Sequence, residues 1–86
     1  MENNQIVPCP CCGYLTIPNN GDAVAYICPI CYWEIDLFIQ NADEPSDQNG
    51  GLTLLQAKRN YQKFNAVEPH LKKYCRNPTE NECYSK

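Results

Sequence analysis

The sequence predicts a small α+β domain, with a three-stranded antiparallel sheet followed by one longer and one short helix. Three observations lead there. Two Cys-x-x-Cys pairs, Cys9/Cys12 and Cys28/Cys31, are separated by β-prone segments with a dense turn between them. From Trp33 to Gln40, Trp33, Ile35, Leu37 and Ile39 alternate with Glu34, Asp36, Phe38 and Gln40, the period of a half-buried strand. Later, Leu54, Ala57, Tyr61 and Phe64 recur at helical spacing and form one apolar stripe.

The elements follow in order. Met1 to Val7 reads as a polar tail leading into the first cysteine pair. Tyr14 to Ile17 is a β-prone run stopped by Pro18-Asn19-Asn20-Gly21-Asp22, where Asn and Gly accept positive φ at low cost. Asp22 to Ile27 then returns as a second strand into Cys28, and the hairpin so formed would bring the two cysteine pairs together at its open end. Trp33 to Ile39 is the third strand, with Glu34 and Asp36 on the face opposite the core. Asn41 to Gly51 is polar, acidic and turn-rich, and is expected to be an exposed loop. Thr53 is the N-cap of the longer helix, with Gln56 completing a capping box. Glu68-Pro69 opens the short helix, which runs through His70, Leu71 and Tyr74 to about Arg76. The chain is read as one domain over residues 1–86, with 1–7 and 77–86 as flexible tails.

A chain of 86 residues buries only roughly 60–65% of its unfolded surface and is marginal without a staple. Seven cysteines are the obvious source of one. The N-terminus has neither a basic start nor an apolar run, so no secretory leader is expected, and no stretch approaches the roughly 20 apolar residues of a membrane span. A cytoplasmic, reducing setting follows as an expectation, and together with the odd number of cysteines it favours metal over disulfides. Cys9, Cys12, Cys28 and Cys31 are the candidate ligands. Zinc accepts four thiolates in a tetrahedron, and a Cys-x-x-Cys turn lets both its sulfurs reach one ion. Zinc is therefore the expected cofactor and the fold a small zinc ribbon, with iron the less favoured alternative because ligand type alone does not separate the two. Four protein ligands leave no open position, which makes the site structural. A thioredoxin-like role fits poorly, since the chain has no βαβ pattern.

Other reactive residues read more plainly. Cys11 fills the variable position of the first pair and is not counted as a ligand, while Cys75 and Cys83 read as free thiols. His70, the single histidine, has no carboxylate or nucleophile motif around it. Trp33 is expected to anchor the core beside the metal. Glu34 and Asp36 could be an acid–base pair, but a solvated face beside the metal, able to meet a basic partner, suits them better. No catalytic residue is assigned and no enzymatic activity is expected.

Charge is divided along the chain. All seven bases lie after residue 57 with three acids, giving +4, while seven acids and no base precede it, giving -7. Four bound thiolates around a divalent ion would add about -2 to the front. An acidic metal module repels phosphates, so nucleic acid is not expected at the front face. A zinc-ribbon regulator, or a nucleic-acid-associated protein using the basic C-terminal helices, is the alternative function.

With these residues in view, the chain resembles the cysteine-rich CPCC family of small bacterial proteins. The likeness rests on Cys9-Pro10-Cys11-Cys12-Gly13-Tyr14 and Cys28-Pro29-Ile30-Cys31-Tyr32-Trp33-Glu34. It continues through Gly51-Leu52-Thr53, Ala57, Asn60-Tyr61 and Phe64. The resemblance implies a compact zinc-ribbon-like domain with a following helix, and some members look like companions of secreted toxins. The chain departs from that pattern after Glu34, where Ile35 to Ile39 is apolar. The leading expectation is a zinc-stabilised, non-enzymatic protein-binding module, with immunity to a cognate basic toxin as its most concrete form.

Overall fold

The computed structural model describes residues 5–83. The outermost residues of both expected tails, 1–4 and 84–86, lie outside the described residues. Two short strands, β1 (Val7–Pro8) and β2 (Leu15–Ile17), pair antiparallel, with a register irregularity between Val7 and Pro8. They enclose the first Cys-x-x-Cys pair, so that Cys9 and Cys12 sit in the turn of this hairpin. The second pair lies at the tip of another narrow loop. There Ile27 bridges Glu34, and further backbone bonds join Ala25 N–H to the Ile35 carbonyl and Ile35 N–H to that of Tyr26 (2.9 and 2.8 Å).

This corrects the expected three-stranded sheet. Among the described residues the sheet has two strands, and Leu15–Ile17 pairs with the segment before it rather than with Asp22 to Ile27. The physical reason is local closure. Each Cys-x-x-Cys turn closes with its own backbone bonds, as Gly13 N–H to the Cys9 carbonyl and Cys9 N–H to that of Tyr14 do in the first, and so sets its own flanks antiparallel, whereas Asn19–Gly21 winds into a 3-10 turn that carries the chain onward. The Pro18 to Asp22 turn serves instead as the connector between the two hairpins. It is a 3-10 turn at Asn19–Gly21 in which Asn19 and Asn20 both take positive φ (57° and 58°).

The expected third strand stops early. Trp33 and Ile35 are buried, but Leu37 and Phe38 are exposed, Phe38 to 78%. After Ile35 the chain leaves the hairpin in a local turn, in which the Asp36 carboxylate accepts the Phe38 N–H at 2.9 Å. The loop from Asn41 to Gly51 also differs from the exposed, featureless reading. It contains a 3-10 turn at Asp47–Asn49 and an isolated bridge between Ser46 and Leu52, and Ser46 is completely buried. Asn49 holds this loop on the second hairpin. It accepts the Glu34 N–H and donates its amide to the Glu34 carbonyl, both at 2.8 Å.

The longer helix matches its expectation. Helix α1 (Leu54–Phe64) begins with the Thr53/Gln56 capping box, and Asn65 ends it in the left-handed region. Ala57 is buried and Leu54 and Tyr61 pack on the core, whereas Phe64 at the end of the stripe stays largely exposed. The short second helix is a 3-10 helix, Pro69–Tyr74, with Pro69 in its first turn. The described part of the C-terminal tail has order of its own. Glu80–Glu82 form a 3-10 turn capped by Thr79, and the Arg76 guanidinium meets the Glu82 carboxylate with two bonds of 2.8 and 2.7 Å.

The core is assembled around the cysteines. Cys9, Cys28 and Cys31 are buried with Ile17, Ile30, Trp33, Ile35, Ala57 and Val67 in one cluster. Trp33 is 1% exposed, the core anchor that its apolar setting predicts. After α1 the chain straps back over the second cysteine loop. Val67 N–H donates to the Cys31 carbonyl (2.9 Å), Arg76 N–H to that of Pro29 (3.1 Å), and the Asn60 amide on α1 secures the strap through the Val67 carbonyl (2.8 Å).

Candidate metal centre

Each Cys-x-x-Cys loop builds the same scaffold from backbone hydrogen bonds. In the first, Gly13 N–H donates to the Cys9 carbonyl (2.9 Å) and Cys9 N–H to that of Tyr14 (2.8 Å). In the second, Tyr32 N–H donates to the Cys28 carbonyl (2.8 Å) and Cys28 N–H to that of Trp33 (2.9 Å). Both loops require a left-handed residue directly after the second cysteine. Gly13 supplies it at φ 84° with no side-chain penalty, and Tyr32 adopts φ 75° despite its bulk. The Tyr32 ring lies against that of Tyr74, with centroids 5.4 Å apart, so the strap after α1 holds it there.

The two loops set the sulfurs of Cys9, Cys12, Cys28 and Cys31 within 4.8 Å of one another. Across the loops, Cys9 Sγ is 3.7 Å from Cys31 Sγ, and Cys12 Sγ is 3.7 Å from Cys28 Sγ. A tetrahedron with metal–sulfur bonds near 2.3 Å has edges of about 3.8 Å. The four-sulfur set therefore has the size and donor chemistry to hold one metal ion. Three of the cysteines are buried and Cys12 is half-buried, which keeps water from competing for the sulfurs.

The four sulfurs are also close enough to influence one another's ionisation. Across each 3.7 Å pair the two thiols shift in opposite directions. Cys28 is held well below the usual thiol range by hydrogen bonds from Cys12, Cys31, Cys9 and Thr16, while Cys12 is pushed up, first by Cys28. Cys9 is lowered, chiefly by Cys12, while Cys31 is pushed up, first by the neighbouring Cys11 thiol and then by Cys12. Thiolates this close cannot all ionise on their own. A bound divalent cation supplies the missing positive charge and deprotonates its ligands outright, so binding expels protons.

One side chain outside the four completes the set. The buried Thr16 hydroxyl lies 3.1 Å from Cys28 Sγ, and against a thiolate it is the donor of that bond. The Cys11 N–H points at Cys9 Sγ (3.4 Å). Cys11 itself is buried beside Cys31 but is not one of the four clustered sulfurs. Cys75, half-buried, donates to the Leu71 carbonyl (3.4 Å), and Cys83 is exposed; both are free thiols. His70 is an exposed neighbour of Glu68, 3.4 Å away, and has no part in the cluster.

Glu34 and Asp36 do not converge on a shared site. Glu34 is held through its backbone by Asn49, and the Asp36 carboxylate is occupied by Phe38 N–H and by the Ser46 hydroxyl (2.7 Å). Thr16, Asn49 and Asn60 carry structural work that composition and spacing did not assign. Only Asn60 had a signal, its place among the residues shared with the resembled family. No helix of the described residues is long and apolar enough to cross a membrane.

Comparison with known proteins gives one match. A model of the cysteine-rich CPCC family matches residues 7–82, nearly the whole chain. No curated protein and no solved structure matches it.

Proposed function

The chain belongs to the cysteine-rich CPCC family, and from that premise we propose that it is a zinc-stabilised, non-enzymatic module that binds another protein. The observation that carries this reading is the closed set of four sulfurs. A tetrahedral ion held by Cys9, Cys12, Cys28 and Cys31 has all its positions filled by the protein, which suits a structural centre and leaves none for substrate or activated water. Zinc suits a small reduced domain that needs a staple rather than an electron carrier. Cys9, Cys12, Cys28 and Cys31 would hold it, and Thr16 would orient the sulfur of Cys28.

The acidic front gives the binding role its direction. Seven acids and no base precede residue 57, and opposite charge steers association with a basic partner. Some members of the resembled family look like companions of secreted toxins, which makes a basic toxin the most concrete partner, with the module as its immunity protein. Two measurements test this. Elemental analysis of the purified protein should find one zinc per chain, and a reddish iron-loaded protein would overturn the metal assignment. Where a toxin gene adjoins its own, titration with that toxin should show tight, salt-sensitive binding and loss of toxin activity. Absence of both would overturn the immunity reading. Salt-dependent binding of a DNA or RNA duplex would point instead to the basic C-terminal half.

A further inference from the structure

Beside the metal centre, two hollows meet along the Asp36–Ile39 segment. One is an apolar groove of about 280 Å³ floored by Ile17, Trp33, Ile35 and Leu54 and edged by Leu37 and Ile39. The other, of about 290 Å³, is lined by Asp36, Glu44 and Asp47 together with Phe38 and Ile39. Asp36 and Ile39 line both, so the two hollows adjoin at that segment.

That surface combines features that a bare apolar face lacks. Leu37 is 50% exposed and Phe38 78%, adjoining the groove and the acidic hollow. The segment is held in this shape rather than left loose. Asp36 accepts from Phe38 N–H and Ser46 Oγ, and Glu44 accepts from Gln40 N–H at 2.8 Å. These bonds take up some lone pairs but leave the carboxylate charges, and no lysine or arginine lines either hollow. An apolar pocket joined to an uncompensated acidic one is complementary to an apolar side chain flanked by a cationic one.

We propose that this surface is where the module meets its partner, and that the partner presents a basic segment with a large apolar residue seated in the groove over Trp33. The inference rests on the protein-binding reading and names its contact face. The metal centre then has a definite part in recognition, because Ile17 and Trp33 on the groove floor belong to the core cluster that contains the cysteines.

The test is heteronuclear NMR of the full-length zinc-loaded protein titrated with three capped tripeptides: Lys-Trp-Lys, Glu-Trp-Glu and Lys-Ala-Lys. Lys-Trp-Lys should shift residues between Ile35 and Asp47 at lower concentration than either of the others. The double substitution Glu44→Gln/Asp47→Asn, which keeps the acceptor oxygens and removes two charges, should weaken it by about 2- to 10-fold. Phe38→Ser, at a side chain too exposed to matter for folding, should weaken it as well. Equal shifts with Glu-Trp-Glu, or shifts confined to other surfaces, would overturn the proposal. So would shifts at this face that grow with protein concentration alone, which would make a second copy the occupant. The same spectra recorded with the toxin separate the two readings. Toxin binding that maps elsewhere removes this face and leaves the binding module, whereas failure of the toxin to bind removes immunity whatever the peptides do.

Discussion

Thr16 is a single buried hydroxyl 3.1 Å from the sulfur of Cys28, and it would donate to that sulfur once it is a thiolate. Outer-shell partners of this kind tune metal ligands, so Thr16→Val should lower zinc affinity by about 10-fold or more. Competition with a chromophoric chelator would measure this, and Thr16→Ser should recover most of the loss. The cysteines themselves divide sharply. Cys28→Ser should lose the metal, whereas Cys11→Ser should keep one zinc per chain, because Cys11 lies outside the clustered set. Metal analysis of the two variants decides the point, and the reverse result would reassign the ligands. Gly13 and Tyr32 show what residue identity can conceal. Both loops demand the same left-handed backbone, and only one uses the residue that adopts it freely.

At the scale of elements, what was legible depended on whether the determining contacts are local. Helix α1 could be read because its cap and its stripe lie within its own sequence, while its left-handed end at Asn65 is assigned by neither. Thr53→Ala should cost about 1 kcal/mol of stability, the usual value of an N-cap. The loop from Asn41 to Gly51 could not be read, since its order depends on Asn49 reaching Glu34, fifteen residues back. Asn49→Ala should cost about 1–3 kcal/mol by leaving the N–H and carbonyl of Glu34 without their partner. Chemical denaturation of the zinc-loaded variants compares the two substitutions directly, and an Asn49→Ala cost below that of Thr53→Ala would show that the loop is not pinned as described. The Trp33 to Ile39 alternation misled for a related reason. Period two places Trp33 and Ile35 inward correctly, but the strand can continue only while a neighbour accepts its bonds, and past Ile35 the chain turns locally on the Asp36 carboxylate.

Over the whole molecule, the cysteine cluster and the terminal clasp lie at different places and respond to different conditions. The cysteine cluster is shared by both hairpins, and the strap after α1 crosses the second of them. A strong chelator should therefore unfold the domain cooperatively, since metal binding at such sites, roughly 10–16 kcal/mol, exceeds what a core this small supplies alone. Circular dichroism during chelation would show it, and a retained native spectrum would mean that the core stands without metal. The Arg76–Glu82 clasp makes a smaller, pH-dependent contribution. Arg76, followed by the Thr79 N–H, holds Glu82 down at about 2 from an ordinary value of 4.5. A lowered folded-state pKa stabilises above the ordinary value and is lost as pH falls toward the lowered one. Glu82→Gln should thus be less stable than the parent above about pH 4.5, with the gap narrowing on acidification toward pH 2. As the pair is solvent-exposed, the gap should be small and should shrink further with added salt.

Residue type and short spacing are enough to specify the four clustered cysteines, the cap and apolar stripe of α1, the buried role of Trp33 and the separation of an acidic front from a basic back. Each follows from residue type at short spacing, where chemistry and geometry act within a turn or two. Only the folded chain shows that each cysteine pair closes its own hairpin and that the Thr16 hydroxyl sits beside the Cys28 sulfur. It also shows that Asn49 and Asn60 pin segments distant in sequence, and that Leu37 and Phe38 turn outward beside a groove. These depend on which backbone groups find partners after the chain has folded back on itself. A two-residue alternation or a turn signal cannot specify that choice, because several pairings satisfy the same local pattern and only the packed core selects among them.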